Sequence, residues 1–291
     1  LATREEELRS PEARAHAAGE PYDPGRVRLF HSLAAALNRE VFALRPERTQ
    51  APMAFRDLAF FESYFSNYIE GTEFEVAEAA DIVYRGAHIP NRTGDTHDVR
   101  GTFELCSDRA GLSHTASNAK EFIELLRSRH RHLLGGRPDK EPGMFKERAN
   151  RAGNTAFVEP GRVKGTLKAG FDHMGLLKDP FGRALYMMFL VSEVHPFNDG
   201  NGRIARLMMN AELVRDRCSK LIIPTVYRDD YLLALRRLTR QQEPQAFIRM
   251  MDRAHAWSHW LDPVSYDHLH AQMLLSHAYR EPTDAQLIIP E

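Results

Sequence analysis

The chain has 291 residues, of which 43% are hydrophobic and 27% charged, and its formal net charge is −1. This length and hydrophobic content suffice to bury a core, most simply as one domain with helical additions. The near-neutral balance lacks the basic surface typical of proteins that bind nucleic acid or acidic membranes, so we expect neither partner. Cys106 and Cys218 match no metal-binding spacing and cannot form a disulfide framework, which favours a reducing, cytoplasmic compartment. The charged first residues lack the apolar core of a signal peptide, so we expect none there, and no segment reaches membrane-spanning length.

The amino-terminal third predicts helices separated by proline and glycine. Residues 1–25 are charged and proline-containing, and we expect a solvated lead-in. Helical periodicity predicts helices over 26–44 and about 53–70, the second with a buried aromatic face. Gly71 is predicted to end that helix, and Thr72 with Glu75 predicts a capping box for the next, which runs to about Tyr84.

The middle of the chain contains one predicted hairpin among helices. Helices are expected near 98–112 and 118–134, and the basic run 129–132 predicts a solvated face rather than a metal site. Short β-prone runs around Pro160 and Gly161 predict a hairpin over 154–167. The segment 180–194 is apolar almost all round, which is typical of a central buried helix.

The remaining pattern is helical to near the end. Helices are predicted near 202–216, 229–241, 244–260 and 264–278. The fold class is therefore mainly α, with one β-hairpin.

The stretch from His195 to Arg206 concentrates residues suited to phosphate chemistry. Gly200 and Gly202 allow a turn whose backbone N–H groups point at one spot, and the following helix begins with an end that favours anions. Arg203 and Arg206 project from one side of that helix, and Asp199 could hold a hard cation against a phosphate. The pattern predicts a phosphate-transfer site; the alternative is a glycine-rich turn between helices with solvated arginines.

The twelve residues His195-Pro-Phe-Asn-Asp-Gly-Asn-Gly-Arg-Ile-Ala-Arg206 resemble the Fic (Fido) family signature, His-x-Phe-x-(Asp/Glu)-Gly-Asn-Gly-Arg-x-x-Arg, at every defined position. The resemblance covers roughly 98–255 and implies the Fic fold, a helical bundle with one β-hairpin flap. We therefore expect N-terminal helices in 1–97, a Fic core in 98–255 and a helical extension in 256–291, forming one compact unit. Family members are mostly protein adenylyltransferases, which move AMP from ATP to a hydroxyl side chain of a target protein.

The resemblance also implies a role for each matching residue. His195 would be the base that takes the proton from the target Ser, Thr or Tyr, and Asp199 would be the Mg²⁺ ligand. The remaining candidates border the nucleotide: Gly200, Asn201 and Gly202 around the phosphates, Arg203 towards the β-phosphate, Arg206 on the γ-phosphate, Ala156 and Phe157 at the hairpin edge, and Tyr231 towards the adenine.

A second element resembles the family's inhibitory motif, (Ser/Thr)-x-x-x-Glu-(Gly/Asn). The sequence Ser66-Asn-Tyr-Ile-Glu70-Gly71 matches it and lies upstream of the core, as in the class whose inhibitory helix is N-terminal. There Glu70 would pair with Arg206 and obstruct the γ-phosphate. The alternative is an exposed glutamate before a helix-ending glycine.

The sequence thus predicts an autoinhibited, Mg²⁺-dependent protein adenylyltransferase with ATP as substrate. A de-AMPylating hydrolase on the same site, in which Glu70 orients water, stays open, as does a nucleotide-binding regulatory protein without turnover. The expected partner is an unidentified target protein docked on the hairpin 154–167 by backbone pairing. Self-modification and a homodimer are also left open.

Overall fold

The computed structural model describes residues 10–290, which are mainly helical with one small two-stranded sheet, and this confirms the predicted fold class. The first nine residues of the predicted lead-in lie outside the described residues. The amino-terminal helices are α1 (Pro11–Ala17), α2 (Pro24–Leu37), α3 (Pro52–Ile69), α4 (Val76–Arg85), α5 (Thr93–Ser107), α6 (Arg109–Ser113) and α7 (Ala119–Leu133). The strands β1 (Arg151–Ala152) and β2 (Thr155–Ala156) follow, and then α8 (Val163–Phe171), α9 (Pro180–Val194), α10 (Asn201–Arg215), α11 (Arg228–Gln241), α12 (Pro244–Trp260) and α13 (Tyr266–Leu275).

Helices α9 and α10 form the centre of the molecule and pack along each other. The predicted central segment 180–194 coincides with α9, whose first turn is capped by the Asp179 side chain at 3.0 Å from the Gly182 N–H. The apolar residues of both helices belong to one core that extends from Leu29 to Leu287. The predicted division at 97 and 255 stays a prediction, because all three segments share this core.

Helix α2 is shorter than the predicted 26–44. It begins after Asp23, whose side chain accepts from the Arg26 N–H at 3.0 Å, and it ends at Leu37. Beyond that point Phe42 still packs against the core, but Val41 is 97% exposed and Leu44 78% exposed. The predicted helix therefore runs past the last well-buried turn of α2. A helix is stabilised mainly by burying its apolar face, so α2 ends where that burial ends.

Helix α3 buries its aromatic face as predicted, and Gly71 ends it in the left-handed region with φ +87°. The predicted capping box of Thr72 with Glu75 is wrong. The buried Thr72 instead bonds back to α3, its N–H 3.1 Å from the Asn67 carbonyl, so the next helix starts later. Glu75 is the cap of α4, and its N–H donates to the Glu78 carboxylate at 3.2 Å.

The predicted hairpin over 154–167 is wrong in its position. Strands β1 and β2 pair across a turn at 153–154, with Gly153 at φ +56°. Pro160 begins a 3₁₀ turn that leads into α8, where Val163 and Leu167 are both buried one turn apart. Tertiary packing overrides the β propensity there, because Gly165 approaches the carbonyls of the preceding 20–21 segment so closely that a Cβ would collide with them.

The predicted helix 98–112 is two helices, since Asp108 ends α5 and its side chain caps α6 at 3.0 Å from the Gly111 N–H. Within residues 10–290, no helix combines the length and apolar character needed to cross a membrane.

Candidate active site

His195 lies at the carboxyl end of α9 in an uncommon backbone conformation. Its φ is +52°, and its N–H still bonds to the Val191 carbonyl at 3.0 Å. Few non-glycine residues adopt the left-handed region, and those that do concentrate at functional sites. The buried core of α9 imposes this conformation and places the imidazole at the edge of the motif loop.

The imidazole of His195 is set up as a neutral base. Its Nδ1 lies 3.2 Å from the Ser192 carbonyl, which can only accept, so Nδ1 carries the hydrogen and Nε2 keeps its lone pair. Burial, assisted by the nearby Lys146 ammonium, lowers the pKa of His195 to about 4. Burial likewise lowers the pKa of Lys146 to about 8. The ring is therefore neutral at physiological pH.

The motif loop is closed by Asn201 around the buried Phe197. The Asn201 side chain accepts from the Phe197 N–H at 2.9 Å and donates to its carbonyl at 2.8 Å. Gly200 has φ +72° and starts α10, whose first N–H groups have no partner within their own helix. Asn201 thus shapes the cradle with its side chain, and only its backbone can face a phosphate.

Arg206 is buried and held by helix α3 and the residue that follows it. Its Nη2 lies 2.7 Å from Glu70 Oε1 and 2.8 Å from the Ser66 carbonyl, and its Nε donates to Ser66 Oγ at 3.0 Å. Burial disfavours the charged guanidinium, but Glu70 and Tyr231 outweigh that cost and raise the pKa of Arg206. The structure therefore brings Ser66, Glu70 and Arg206 together, as the resemblance to the inhibitory motif implied.

Glu70 also covers the start of α10. Its Oε1 lies where a Cβ on Gly202 would stand, so only glycine fits beneath this carboxylate. Glu70 follows the last residue of α3 and keeps 34% of its side chain exposed, while Arg206 keeps 6%. Glu70 thus lies at the end of α3, and its partly exposed side chain can move without displacing the helix.

Arg203 has protein partners on several sides. It forms an ion pair of 2.6 Å with Asp98, which is equally buried, and its Nη1 lies 3.3 Å from the Asn67 amide oxygen. Its Nη2 lies 3.3 Å from Asp199 Oδ1. Burial raises the pKa of Asp98 although Arg203 opposes it. Arg203 is therefore fixed beside the cradle, close to the place expected for the phosphate chain.

Asp199 fits a metal ion that arrives with a nucleotide. Its carboxylate is 36% exposed, and its Oδ2 lies 3.9 Å from the Lys140 ammonium. Mg²⁺ is commonly held by one or two carboxylates together with substrate phosphates and water. No group of three or more potential ligands among His, Cys, Asp and Glu occurs in residues 10–290, so a preformed all-protein metal cage is absent from this part of the chain.

The hairpin places Phe157 on the face of His195. The two rings are stacked, with centroids 3.8 Å apart and planes 6° apart. Just before Phe157, the Ala156 carbonyl accepts from Arg26 Nη2 at 2.7 Å, and the same guanidinium pairs with the buried Glu193 at 2.7 Å. Helix α2 therefore fixes the edge of the site through Arg26.

A cavity of about 490 Å³ joins these parts, a size common for small-molecule sites. Its lining consists of Glu70, Ala152, Gly153, Thr155, Phe157, Ser192, Glu193, His195, Gly202, Arg206, Tyr231, Leu232, Leu235, Arg236, Thr239 and Arg240. Tyr231 is 1% exposed, and its ring centre lies 5.9 Å from the Arg206 guanidinium carbon, so it stands behind Arg206 as well as on the cavity wall. Four other candidates lie beside this cavity rather than in its lining, on the motif loop or on α10: Asp199, Gly200, Asn201 and Arg203.

Three residues that contact the site were not identified from the sequence: Arg26, Lys146 and His130. Arg26 and Lys146 gave no signal, because each acts through partners distant in sequence. His130 lies in the run 129–132, whose prediction as a solvated face is wrong: His130 is 0% and Arg129 5% exposed. Alternate residues of a helix face opposite sides, so a run of four basic residues cannot all be solvated on a buried helix.

Comparison with known proteins agrees with the geometry. A family model described as Fic/DOC family matches residues 121–213. Protein adenylyltransferase fic-1 of Caenorhabditis elegans is 28% identical over 240 residues, which cover 74% of this chain and 46% of that protein. Protein adenylyltransferase Fic of Culex quinquefasciatus is 28% identical over 198 residues, 65% of this chain and 38% of that protein. The chain thus spans less than half the length of these curated relatives.

Solved structures share the fold. The Fic-1 structure from C. elegans aligns with a TM-score of 0.61 at 23% identity, over 90% of this chain and 75% of that one. A Fic-domain-containing signaling protein from Bacteroides thetaiotaomicron aligns with a TM-score of 0.57 at 17% identity, over 80% of this chain and 95% of that one. The signature and the helical architecture agree with the match of residues 121–213 to the Fic/DOC family model.

Proposed function

We propose that this chain transfers AMP from ATP to a Ser, Thr or Tyr hydroxyl of a target protein, and that Glu70 restrains the reaction. The observation that carries the proposal is one cavity that joins a neutral base, His195, to the buried cation Arg206 beside a glycine-rich helix start. The curated relatives named protein adenylyltransferase support the same chemistry.

The reaction needs a base, an anion cradle and a leaving-group partner. The target hydroxyl oxygen attacks the α-phosphorus of ATP, the bond from that phosphorus to the bridging oxygen of the β-phosphate breaks, and pyrophosphate leaves. His195 Nε2 takes the hydroxyl proton, because its Nδ1–H is held by the Ser192 carbonyl and its ring is neutral. The backbone at Gly200 and Gly202 and the arginines of α10 would stabilise the phosphate charge.

A magnesium ion fits this scheme as part of the substrate. Asp199 would hold it, and the ion would neutralise charge on the phosphates of bound ATP. Lys140 lies on the same side of Asp199 and could neutralise that carboxylate when no ion is present.

Inhibition would act through charge and space together. Glu70 occupies the Arg206 guanidinium at 2.7 Å, the group that the γ-phosphate would need. It also covers Gly202, so a triphosphate that approached the start of α10 would meet a carboxylate of like charge. The proposed resting state is a complete site that is closed to a productive triphosphate.

The acceptor segment would lie along the hairpin 151–156 rather than along 154–167. Thr155 accepts from Arg240 at 2.8 Å and Ala156 from Arg26 at 2.7 Å, so β2 is held from two helices and can offer a fixed edge to a target backbone. Specificity would then reside in the shape and backbone of the target.

Mass spectrometry of the purified Glu70→Gly protein with ATP and Mg²⁺ tests the proposal. We expect AMP on the chain itself or on a co-purified target, and none when His195→Ala is added. Release of AMP from a modified target, abolished by Glu70→Gly, would indicate the hydrolase instead. ATP binding without turnover in the Glu70→Gly form would indicate a regulatory nucleotide site and would contradict the transferase.

A further inference from the structure

His130 on α7 is fully buried beneath the motif loop, although it lies far from that loop in sequence. It is 0% exposed, and its ring is parallel to that of Phe197, with centroids 3.6 Å and planes 4° apart. A stacked aromatic pair explains a buried histidine as packing alone. The hydrogen bonds of the ring show that it also holds two backbone segments.

Both ring nitrogens of His130 bond to main chain. The Gly143 N–H lies 2.9 Å from Nδ1 and can only donate, so Nδ1 carries no hydrogen. Nε2 must then carry it, and it donates to the Asp199 carbonyl at 2.9 Å. These two contacts fix one neutral tautomer and one orientation of the ring.

The motif loop 195–200 is therefore connected by hydrogen bonds at two points to the segment 143–146 that follows α7. The Lys146 N–H donates to the Pro196 carbonyl at 2.9 Å, and His130 joins Gly143 to Asp199. Gly143 has φ +77°, and a Cβ there would lie 2.9 Å from the Arg127 carbonyl, so its backbone packs directly against α7. The Gly143 carbonyl also accepts from Arg127 Nε at 2.8 Å.

The Asp199 carboxylate needs such a constraint because cations stand on either side of it. Lys140 Nζ lies 3.9 Å from its Oδ2, and Arg203 Nη2 lies 3.3 Å from its Oδ1. An Asp199 backbone free to rotate would let the carboxylate turn fully onto Lys140, where its charge would be neutralised without a metal ion.

We propose that His130 is a positioning residue that holds the Asp199 backbone so that the carboxylate stays available to the magnesium ion of bound Mg·ATP. The inference rests on the proposed function. His130 touches neither substrate nor ion in this scheme and acts only through Asp199 and Phe197. Partners that orient a metal ligand in this way affect metal affinity by roughly 10- to 100-fold.

Two amide variants separate the two hydrogen bonds of the ring. The side-chain NH₂ of His130→Gln falls near the position of Nε2 and can still donate to Asp199, whereas the amide oxygen of His130→Asn falls near Nδ1 and serves only Gly143. Both lose the stack on Phe197, so that loss cancels when they are compared. We expect the Mg·ATP affinity to be about 10-fold weaker in His130→Asn than in His130→Gln.

Calorimetric titration with ATP, once with Mg²⁺ and once with EDTA, measures this ratio in the Glu70→Gly background. With EDTA the two variants should bind ATP equally, and their melting temperatures should fall by similar amounts. Equal Mg·ATP affinities, or affinities that follow the melting temperatures, would overturn the inference. A parent that binds Mg·ATP but transfers no AMP would contradict the proposed function alone, because the affinity ratio is still measured.

The unsubstituted protein supplies a test that does not depend on the variants folding. Nitrogen-15 NMR of labelled histidine should assign His130 the Nε2–H tautomer in the nucleotide-free protein. An Nδ1–H tautomer would remove the bond to Asp199 and with it the inference.

Discussion

Replacing Glu70 by glycine should release the site, and the structure indicates by how much. The change removes a charge-assisted contact of 2.7 Å to an arginine that is 6% exposed. Such contacts contribute about 1.5–3 kcal/mol, and each 1.4 kcal/mol is about tenfold in a binding constant. If the γ-phosphate and Glu70 compete for this guanidinium, productive ATP binding should improve by roughly 10- to 100-fold.

Initial rates of AMP transfer at subsaturating ATP measure this gain. We expect Glu70→Gly to exceed the unsubstituted chain by that factor. Glu70→Gln should lie between them, because its amide keeps the volume over Gly202 but not the charge. The matched control is Glu73→Gly, which removes an exposed carboxylate three residues away, and it should leave the rate unchanged.

Stability should change in the opposite direction. Without nucleotide, Glu70→Gly leaves the buried Arg206 guanidinium with Ser66 as its remaining hydrogen-bond partner on α3, so the melting temperature should fall. ATP at about 100 times its dissociation constant should then stabilise the variant by about 2.7 kcal/mol, and the unsubstituted chain by less. Equal transfer rates for the unsubstituted chain, Glu70→Gly and Glu73→Gly at every ATP concentration would refute the occlusion.

Four further predictions concern the base, the hairpin and the ion pair between Arg26 and Glu193. Burial lowers the pKa of His195 from its ordinary 6.5 to about 4, so between these pH values the unfolded state binds the proton and the folded state does not. The free energy of unfolding should therefore fall as the pH drops from 6.5 towards 4. Over the same range the transfer rate per folded molecule should show no titration near 6.5, and a rate that follows an apparent pKa of about 6.5 would contradict the buried neutral base. Phe157→Leu removes the ring stacked 3.8 Å from His195, so the base loses its orientation. The kcat should fall by roughly 10-fold or more, and the ATP affinity should fall by a smaller factor. Arg26→Gln leaves Glu193, which is 4% exposed, without its cation, and the free energy of unfolding measured with denaturant should fall by about 3 kcal/mol. Adding Glu193→Gln should restore most of that stability. Additive losses in the double variant would show that the two side chains are not coupled.

Local sequence determined the elements that carry the chemistry. The apolar run of α9, its capping Asp179 and the glycines of the motif fix a helix–loop–helix that ends in His195 and restarts at Asn201. Each of these signals acts within a few residues, so it can be recognised without knowing the fold. The spacing of Ser66 and Glu70 before Gly71 likewise follows from one helix and its end.

The hairpin shows where local signals were insufficient. The residues 162–167 favour a strand by composition, yet the packing of Val163 and Leu167 into the core makes them helical. Strand propensity is weak beside the burial of two apolar side chains, each of which contributes about 1.5–3 kcal/mol. The hairpin turn lies instead at Gly153, because glycine adopts the left-handed conformation at the lowest cost.

The sequence by itself determined a mainly helical chain, and its motifs predicted a phosphate site, a base and a glutamate that blocks it. The pairing of Glu70 with Arg206 was implied by the family resemblance and is present in the structure. Only the tertiary structure decided that Phe157 stacks on His195 and that His130 bonds to the Asp199 carbonyl. These contacts join residues far apart in the chain, and no local pattern encodes them. They form because burying the core of α9 and α10 brings those segments together and requires their polar groups to find partners.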